Sequence, residues 1–364
     1  KEIDQFLRRL FPICRSITGE GNRKTLQIIN EIVPLEIKEY PSGTQVFDWT
    51  IPPEWEISDA YIQNKLGERL VDFHVSNVHV VSYSQPVQEK MTFEKLKSHL
   101  HYLKDLPEAI PYRTSYYKND WGFCLNYYQY KALEKDGGPF EVVIDSSFKE
   151  NGSLTVGEIV IKGKCEKENL ISTYFCHPSL VNDNLSGFLL TAFLAKELLA
   201  QMELKKSYRI IFVPETIGAI SYCAMNQEAM RSIDTGLVVT CVGGPEKWGT
   251  KQSFDPKHYI NNLIQKVFME KGIEYITYPF DIHGSDERQY SSQGFRINVA
   301  TLCRDKYYEY PFYHTSLDNL EFVKAEQINQ SLKLYLRLIE KMEQYQGSYE
   351  PSLCPDRESR KSDK

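Results

Sequence analysis

The sequence predicts an α/β fold, with a mostly parallel central sheet covered by helices on both faces and a β-rich insert near its start. Two observations predict it. From about residue 157 onward, apolar strand-like runs alternate with helical patterns, the order that builds parallel sheets. Between residues 41 and 139, short β-forming runs rich in Pro, Trp and Tyr follow one another with little helix between them. The expected organisation is a discontinuous α/β domain over residues 1–40 and 140–347, an inserted β-rich domain over 41–139, and a tail or linker over 348–364, where Pro351, Pro355 and mixed charges stand.

The elements follow in order. Ile3, Phe6, Leu7, Leu10 and Phe11 recur at helical spacing, as do Leu26, Ile28, Ile29, Ile32 and Val33, so residues 1–34 read as two helices. Between them Ser16 or Thr18 can cap and the glycines of Thr18-Gly-Glu-Gly turn the chain. Strands are expected at 46–53, 71–75 and 78–83, then a helix at 93–103 and an aromatic segment at 111–125 that carries Arg113 and Asp120. Residues 140–145, 157–163 and 171–176 read as strands. Beyond them come a helix at 186–201, a strand from 208, a helix near 219–231, a strand from 235, a helix at 257–271, a strand near 297–302 and a helix at 325–345.

Composition narrows the function. The 364 residues carry a net charge of −6 with the charges dispersed, which argues against nucleic-acid or anionic-membrane surfaces. No apolar run reaches the roughly 18 residues that span a bilayer, and the first residues begin an amphipathic helix rather than a signal peptide. Eight scattered cysteines with no CxxC indicate neither a disulfide framework nor a zinc finger. A cytoplasmic protein acting on a small molecule or short peptide is expected. The sequence is silent on oligomeric state.

The chemistry gathers around Ile171-Ser-Thr-Tyr-Phe-Cys-His-Pro-Ser-Leu-Val-Asn-Asp-Asn-Leu-Ser-Gly187, where an apolar strand runs straight into a His and an Asp. Ligands bind at the carboxyl ends of parallel strands, so His177 and Asp183 are placed for chemistry. Glu215 follows the next strand, and Asp286 stands in a later acid-rich loop beside His283. Three His and carboxylate ligands plus a water make a catalytic zinc site. His177, Asp183 and His314 supply such a set, which leaves Glu215 as general base. Cys176 beside His177 offers no thiol dyad, because neighbours on a strand point to opposite faces. No nucleophile elbow, P-loop or dinucleotide glycine pattern occurs in the right setting.

These residues carry a resemblance. His177, Asn182-Asp-Asn-Leu-Ser-Gly, Glu215 followed by Gly218, and Tyr313-His-Thr-Ser-Leu-Asp-Asn-Leu are similar to the successive motifs of the zinc-dependent aminopeptidase clan. Arg15-Ser-Ile-Thr-Gly-Glu-Gly, Arg113-Thr-Ser-Tyr-Tyr, Asp120-Trp-Gly-Phe-Cys and His283-Gly-Ser-Asp-Glu-Arg-Gln resemble its bacterial aminopeptidase-like branch, long a domain of unknown function found among polysaccharide-biosynthesis genes. The resemblance implies a zinc-exopeptidase-like fold, with His177, Asp183 and His314 on metal and Glu215 as base. Departures matter: Thr216 stands where two-zinc relatives have a ligating Glu, Thr240-Cys-Val replaces a further Asp, and Glu287 stands where they have His. One zinc ion is therefore expected rather than two.

The expected activity is a zinc-dependent, aminopeptidase-like hydrolysis of amide bonds. Asp286 or Glu287 would hold a free α-amine, and Arg113 a substrate's negative group. Two alternatives stand beside it: a deacylase or amidohydrolase acting on an amino-sugar or glycan precursor, and a degenerate, non-catalytic binding module.

Overall fold

Residues 186–200 are so uniformly apolar that the helix they form must be covered on nearly every side, and a large sheet supplies the cover. In the computed structural model, which describes residues 1–345 apart from Met202 and Ile282, eight strands make that sheet. In chain order they are β1 (Glu36–Pro41), β2 (Ser153–Ile161), β3 (Glu168–Tyr174), β4 (Ser207–Val213), β5 (Thr235–Val238), β6 (Trp248–Lys251), β7 (Tyr275–Tyr278) and β8 (Asn298–Arg304). Across the sheet they stand β1-β2-β4-β3-β5-β8-β6-β7.

The centre, β4-β3-β5-β8, is parallel as expected. Antiparallel strands flank it: β2 and β1 on one side, and β6 on the other, with β7 parallel to β6. Every residue of β3 and β8 is buried, as in a sheet covered on both faces. Side chains of β4 alternate, Ile210 and Phe212 facing one core, Ile211 and Val213 the other. The first core is closed by Ser186–Ala200 together with the helices Glu2–Leu10 and Ala325–Gln344. The second lies under the helix Ile217–Met225 and reaches Trp55 and Tyr83 of the insert.

The insert builds its own four-stranded antiparallel sheet, ordered Arg69–Asp72, Glu54–Gln63, Phe140–Lys149, Val87–Met91. Strand Phe140–Lys149 thus pairs on both sides with strands of the insert, and the chain returns to the large sheet at β2. Two expectations in this region are corrected. Residues 78–83 form no strand, because a 3₁₀ turn at Asn77–His79 buries His79 against the Cys124 carbonyl. The helix expected at 93–103 stops at Leu96, since Leu100 and His101 pair with Phe123 and Cys124, and that pairing overrides local helical spacing. Residues 219–231 are two helices, Ile217–Met225 and Gln227–Ser232, rather than one. The tail at 348–364 lies outside the described residues.

Ser16 and Thr18 do not cap. The helix Glu20–Ile29 starts from Gly19 at φ 110°, and the two hydroxyls turn instead to the insert, Ser16 to Ser82 and Thr18 to Tyr83 and the Trp55 amide. The same helix grips the insert through Arg23, whose guanidinium meets Glu54 at 2.9 and 2.6 Å. Arg23 and the Ser153 amide hold the buried Glu54 carboxyl at about 2. A carboxyl held below its unfolded value stabilises the fold above pH ~4.5 and loses that contribution as pH falls through its folded value near 2. Glu54→Gln is expected to cost about 2 kcal/mol at neutral pH, the scale of a hydrogen bond to a charged group. Thermal unfolding of both proteins from pH 7 to pH 2 checks this, with the difference shrinking toward the acid end.

Candidate metal centre

Strand register brings the distant residues together. β3 and β4 run parallel with Tyr174 opposite Val213, so the residues that leave the two strands emerge side by side. The Phe175 amide still bonds the Val213 carbonyl, and the Glu215 amide donates to Cys176 Sγ at 3.2 Å. His177 Nε2 therefore comes within 4.0 Å of Glu215 Oε2. Because β3 ends at Tyr174, strict alternation no longer governs Cys176 and His177, and Cys176 Sγ lies 3.5 Å from His177 Nδ1. Burial pushes that thiol well above its usual range, so it is no thiolate nucleophile.

The loop Val181–Leu185 carries Asp183 back to His177. The Asn182 and Asp183 amides donate to the two carboxylate oxygens of Asp318 at 2.7 and 3.0 Å. Asn182 reaches across to the Asp305 carbonyl and accepts from the Gly243 amide, while Asn184 donates to the Tyr174 carbonyl and accepts from the Cys241 amide. Pinned in this way, Asp183 points its Oδ2 at both imidazoles, 3.6 Å from His177 Nε2 and 3.0 Å from His314 Nε2. Its Oδ1 accepts from the Tyr174 hydroxyl. The His314 loop is clamped by the insert, where the Tyr112 amide bonds the His314 carbonyl at 2.7 Å and Ile110 bonds Ser316.

One ligand atom from each of His177, Asp183 and His314 lies within 4.8 Å of the others, the spacing of a metal-ligand set. His314 Nε2 is buried with no hydrogen-bond partner, although it faces a carboxylate oxygen. Such an orphaned nitrogen fits a site made for a cation between the three. Burial drops His177 to about 4, so its imidazole is neutral and ready to ligate. Burial alone would raise Asp183, but His177, His314 and Tyr174 outweigh it and hold the carboxyl at about 2. Glu215 moves the other way, to about 7, through burial and the charge of Asp183. Ser285 Oγ donates to Glu215 Oε1 at 2.7 Å and fixes its direction.

The comparisons with known proteins give the chain a family and a fold. Residues 4–345 match the family described as a domain of unknown function, DUF4910. The chain belongs to this family. A Clostridium acetobutylicum protein, named for polysaccharide biosynthesis with an aminopeptidase-like domain, is 48% identical over 338 residues, 93% of this chain and 77% of its own. A solved structure of a peptidase-named protein from Clostridium acetobutylicum superposes with a TM-score of 0.91 at 47% identity, over 94% of this chain and 80% of that one. A zinc aminopeptidase from Bacillus subtilis shares the fold at a TM-score of 0.66 and 15% identity, over 93% of each chain. This DUF4910 chain is thus an aminopeptidase-like α/β protein.

The remaining sequence candidates stand elsewhere. Arg113 is exposed and lines no part of the cleft, while its neighbours Tyr112 and Thr114 do. Asp286 is buried behind the base, where its Oδ1 accepts the Thr216 amide at 2.7 Å. That bond braces a γ-turn in which Ile217 bonds back to the Glu215 carbonyl and Thr216 takes φ 63° and ψ −78°, a strained conformation. Glu287 is buried against Lys251 at 3.1 Å and accepts from the Ser285 amide. Neither acid faces the cleft. Sequence reasoning missed Arg15, Tyr174, Ser285 and Asp318. Arg15 lay in a recognised motif, and its single charge among apolar residues was the available signal.

Gly187 supports the pinned loop by being small. A Cβ there would sit 2.1 Å from Asn184 Oδ1 and 2.6 Å from the Val239 carbonyl. Gly187→Ala is expected to destabilise the chain by about 1–3 kcal/mol, the cost of overpacking, and to weaken metal uptake with it. Denaturant unfolding and metal titration on the same preparation check both.

Proposed function

We propose that this chain is a metal-dependent hydrolase of amide bonds with a single zinc ion held by His177, Asp183 and His314. The observation that carries the reading is the convergence of two imidazole nitrogens, from His177 and His314, and one ionised carboxylate oxygen, from Asp183, on a common point, with a raised carboxyl, Glu215, beside it. A zinc ion held there would supply Lewis-acid polarisation of a carbonyl and acidify water. Glu215 accepts the proton of the attacking water and passes it to the leaving nitrogen, and a carboxyl near 7 suits both transfers at neutral pH. Ser285 aims Glu215, and Tyr174 aims Asp183.

Three details favour one ion. Asp183 Oδ1, the oxygen a second ion would use, accepts from Tyr174, which also bonds Thr240. Thr216, at the position of a second ligating Glu, carries no carboxylate and is bent into the γ-turn. Cys241, in the Thr240-Cys-Val stretch that replaces a further Asp, offers a buried thiol and no carboxylate. The name of the Clostridium acetobutylicum relative supports an aminopeptidase-like or polysaccharide-linked amide as substrate.

Metal analysis of the purified wild-type chain is expected to find about one zinc per chain, and His177→Ala or His314→Ala to abolish it. Zinc retained by both variants, or a stoichiometry of two, overturns the assignment. Glu215→Gln is expected to keep the metal and lose roughly 10²- to 10⁴-fold in kcat, the usual contribution of a general base. Turnover with aminoacyl and N-acyl amides measures that loss.

A further inference from the structure

The cleft over this centre says what shape and charge its substrate has, an inference that rests on the amide-hydrolase reading. It has a volume of about 340 Å³, at the small end of ligand sites. The core contributes His177, Glu215, Thr216 and His314 to its floor, and the insert contributes Trp49, Tyr112, Tyr116 and Tyr117 to its walls and mouth. Trp49 and Tyr117 meet edge to face at 5.4 Å, and the Tyr117 hydroxyl is tied to the Thr50 carbonyl at 3.0 Å, so the rim is a fixed aromatic corner. Tyr112 and Tyr116 bond each other at 3.1 Å deeper in, and burial keeps both hydroxyls protonated.

Charge is what the lining lacks. Among the described residues that line the cleft, Glu215 bears the one carboxylate, and no Lys or Arg is present. A free α-ammonium would need a carboxylate to pair with it, because an unpaired charge in such a site is expensive. Asp286 and Glu287, the acids expected to hold it, are buried behind the Glu215 turn and engaged there. Aromatic faces and neutral hydroxyls remain. A pyranose presents apolar C–H faces to rings and hydroxyls at its edge, which is the complement of this lining.

We infer that the cleft takes an uncharged N-acylated amino sugar, stacked on Trp49 and Tyr117 with its acyl amide toward the metal centre, and not a peptide with a free α-amine. Aromatic rings also attract ammonium groups. The test therefore weighs one ligand against the other.

Binding of p-nitrophenyl N-acetyl-β-glucosaminide and of leucinamide is measured by ligand-observed NMR and calorimetry on zinc-loaded full chain carrying Glu215→Gln, so that neither ligand turns over. Trp49→Ala and Tyr117→Ala are added singly in that background, both at exposed positions, with thermal unfolding to show that the fold is kept. The acetamido sugar is expected to bind more tightly than leucinamide, and each aromatic deletion to weaken it about fivefold, the scale of one aromatic contact. Tighter leucinamide binding, sugar affinity untouched by both deletions, or no sugar binding at about 50 mM overturns the inference. The hydrolase reading is judged separately, by zinc content and by turnover of the wild type. A zinc-loaded, active enzyme that ignores the sugar sinks this inference and leaves that one standing.

Discussion

A buried carboxylate that stays ionised constrains everything else in this molecule. Asp183 is 1% exposed, and an uncompensated charge at that depth would neutralise itself by taking up a proton. Its compensation comes from far along the chain: Tyr174 from the end of β3, His177 from the loop after it, and His314 from beyond β8. The backbone that presents it is held by a second buried carboxyl, Asp318, which burial lifts to about 7 and which accepts three donors, two of them amides of this loop. The large sheet fixes Tyr174 and His177 relative to Glu215. The insert, through Tyr112, fixes His314.

The same logic explains how Thr216 and Thr240 are used around this carboxylate. Thr216 occupies the bend of a strained γ-turn, a conformation costing on the order of 1–3 kcal/mol, and the Asp286 carboxylate bonded to its amide offsets part of that cost. The turn directs the Glu215 carboxyl to Ser285 and the cleft. Thr240 feeds the Tyr174 hydroxyl that occupies Asp183 Oδ1. Hydrogen bonds from Tyr174 and Thr240 thus occupy the side of Asp183 that faces away from the two imidazoles.

Much of this was legible in the sequence, and the parts that were not share a cause. Periodicity located β3, β4, β5 and β8 and the helices after them because each buries apolar residues at its own repeat. The grouping of His177, Asp183 and His314 was readable because these residues follow strand ends, and the register that aligns Tyr174 with Val213 follows from parallel pairing. What escaped was set by contacts between segments remote in sequence. Leu100 and His101 abandon a helical pattern to pair with Phe123 and Cys124, and the strand Glu54–Gln63 hides its alternation behind Pro52 and Pro53. Short β6 and β7 carry too few residues to show a period. Asp286 and Glu287 looked like cleft acids because they stand in an acid-rich loop beside His283, yet their partners, the Thr216 amide and Lys251, are invisible to local reading.

Arg15 draws these threads together. It is 1% exposed and meets no carboxylate among the described residues; its guanidinium donates to the Leu10, His177 and Pro178 carbonyls at 2.7, 2.8 and 2.8 Å. Burial lowers it only to about 10, so it remains charged at neutral pH. The planar fork holds three carbonyls of two separate segments from three different nitrogens at fixed angles. The segments it joins are the end of the first helix and the backbone of His177. The chain's first residues, remote from the metal centre in sequence, thereby set the position of its first imidazole, and the motif Arg15-Ser-Ile-Thr-Gly-Glu-Gly becomes intelligible as one unit. Arg15 holds the strand end, Ser16 and Thr18 hold the insert, and the glycine at φ 110° turns the chain into the helix whose Arg23 grips Glu54. A short loop therefore couples the two bodies whose junction forms the cleft.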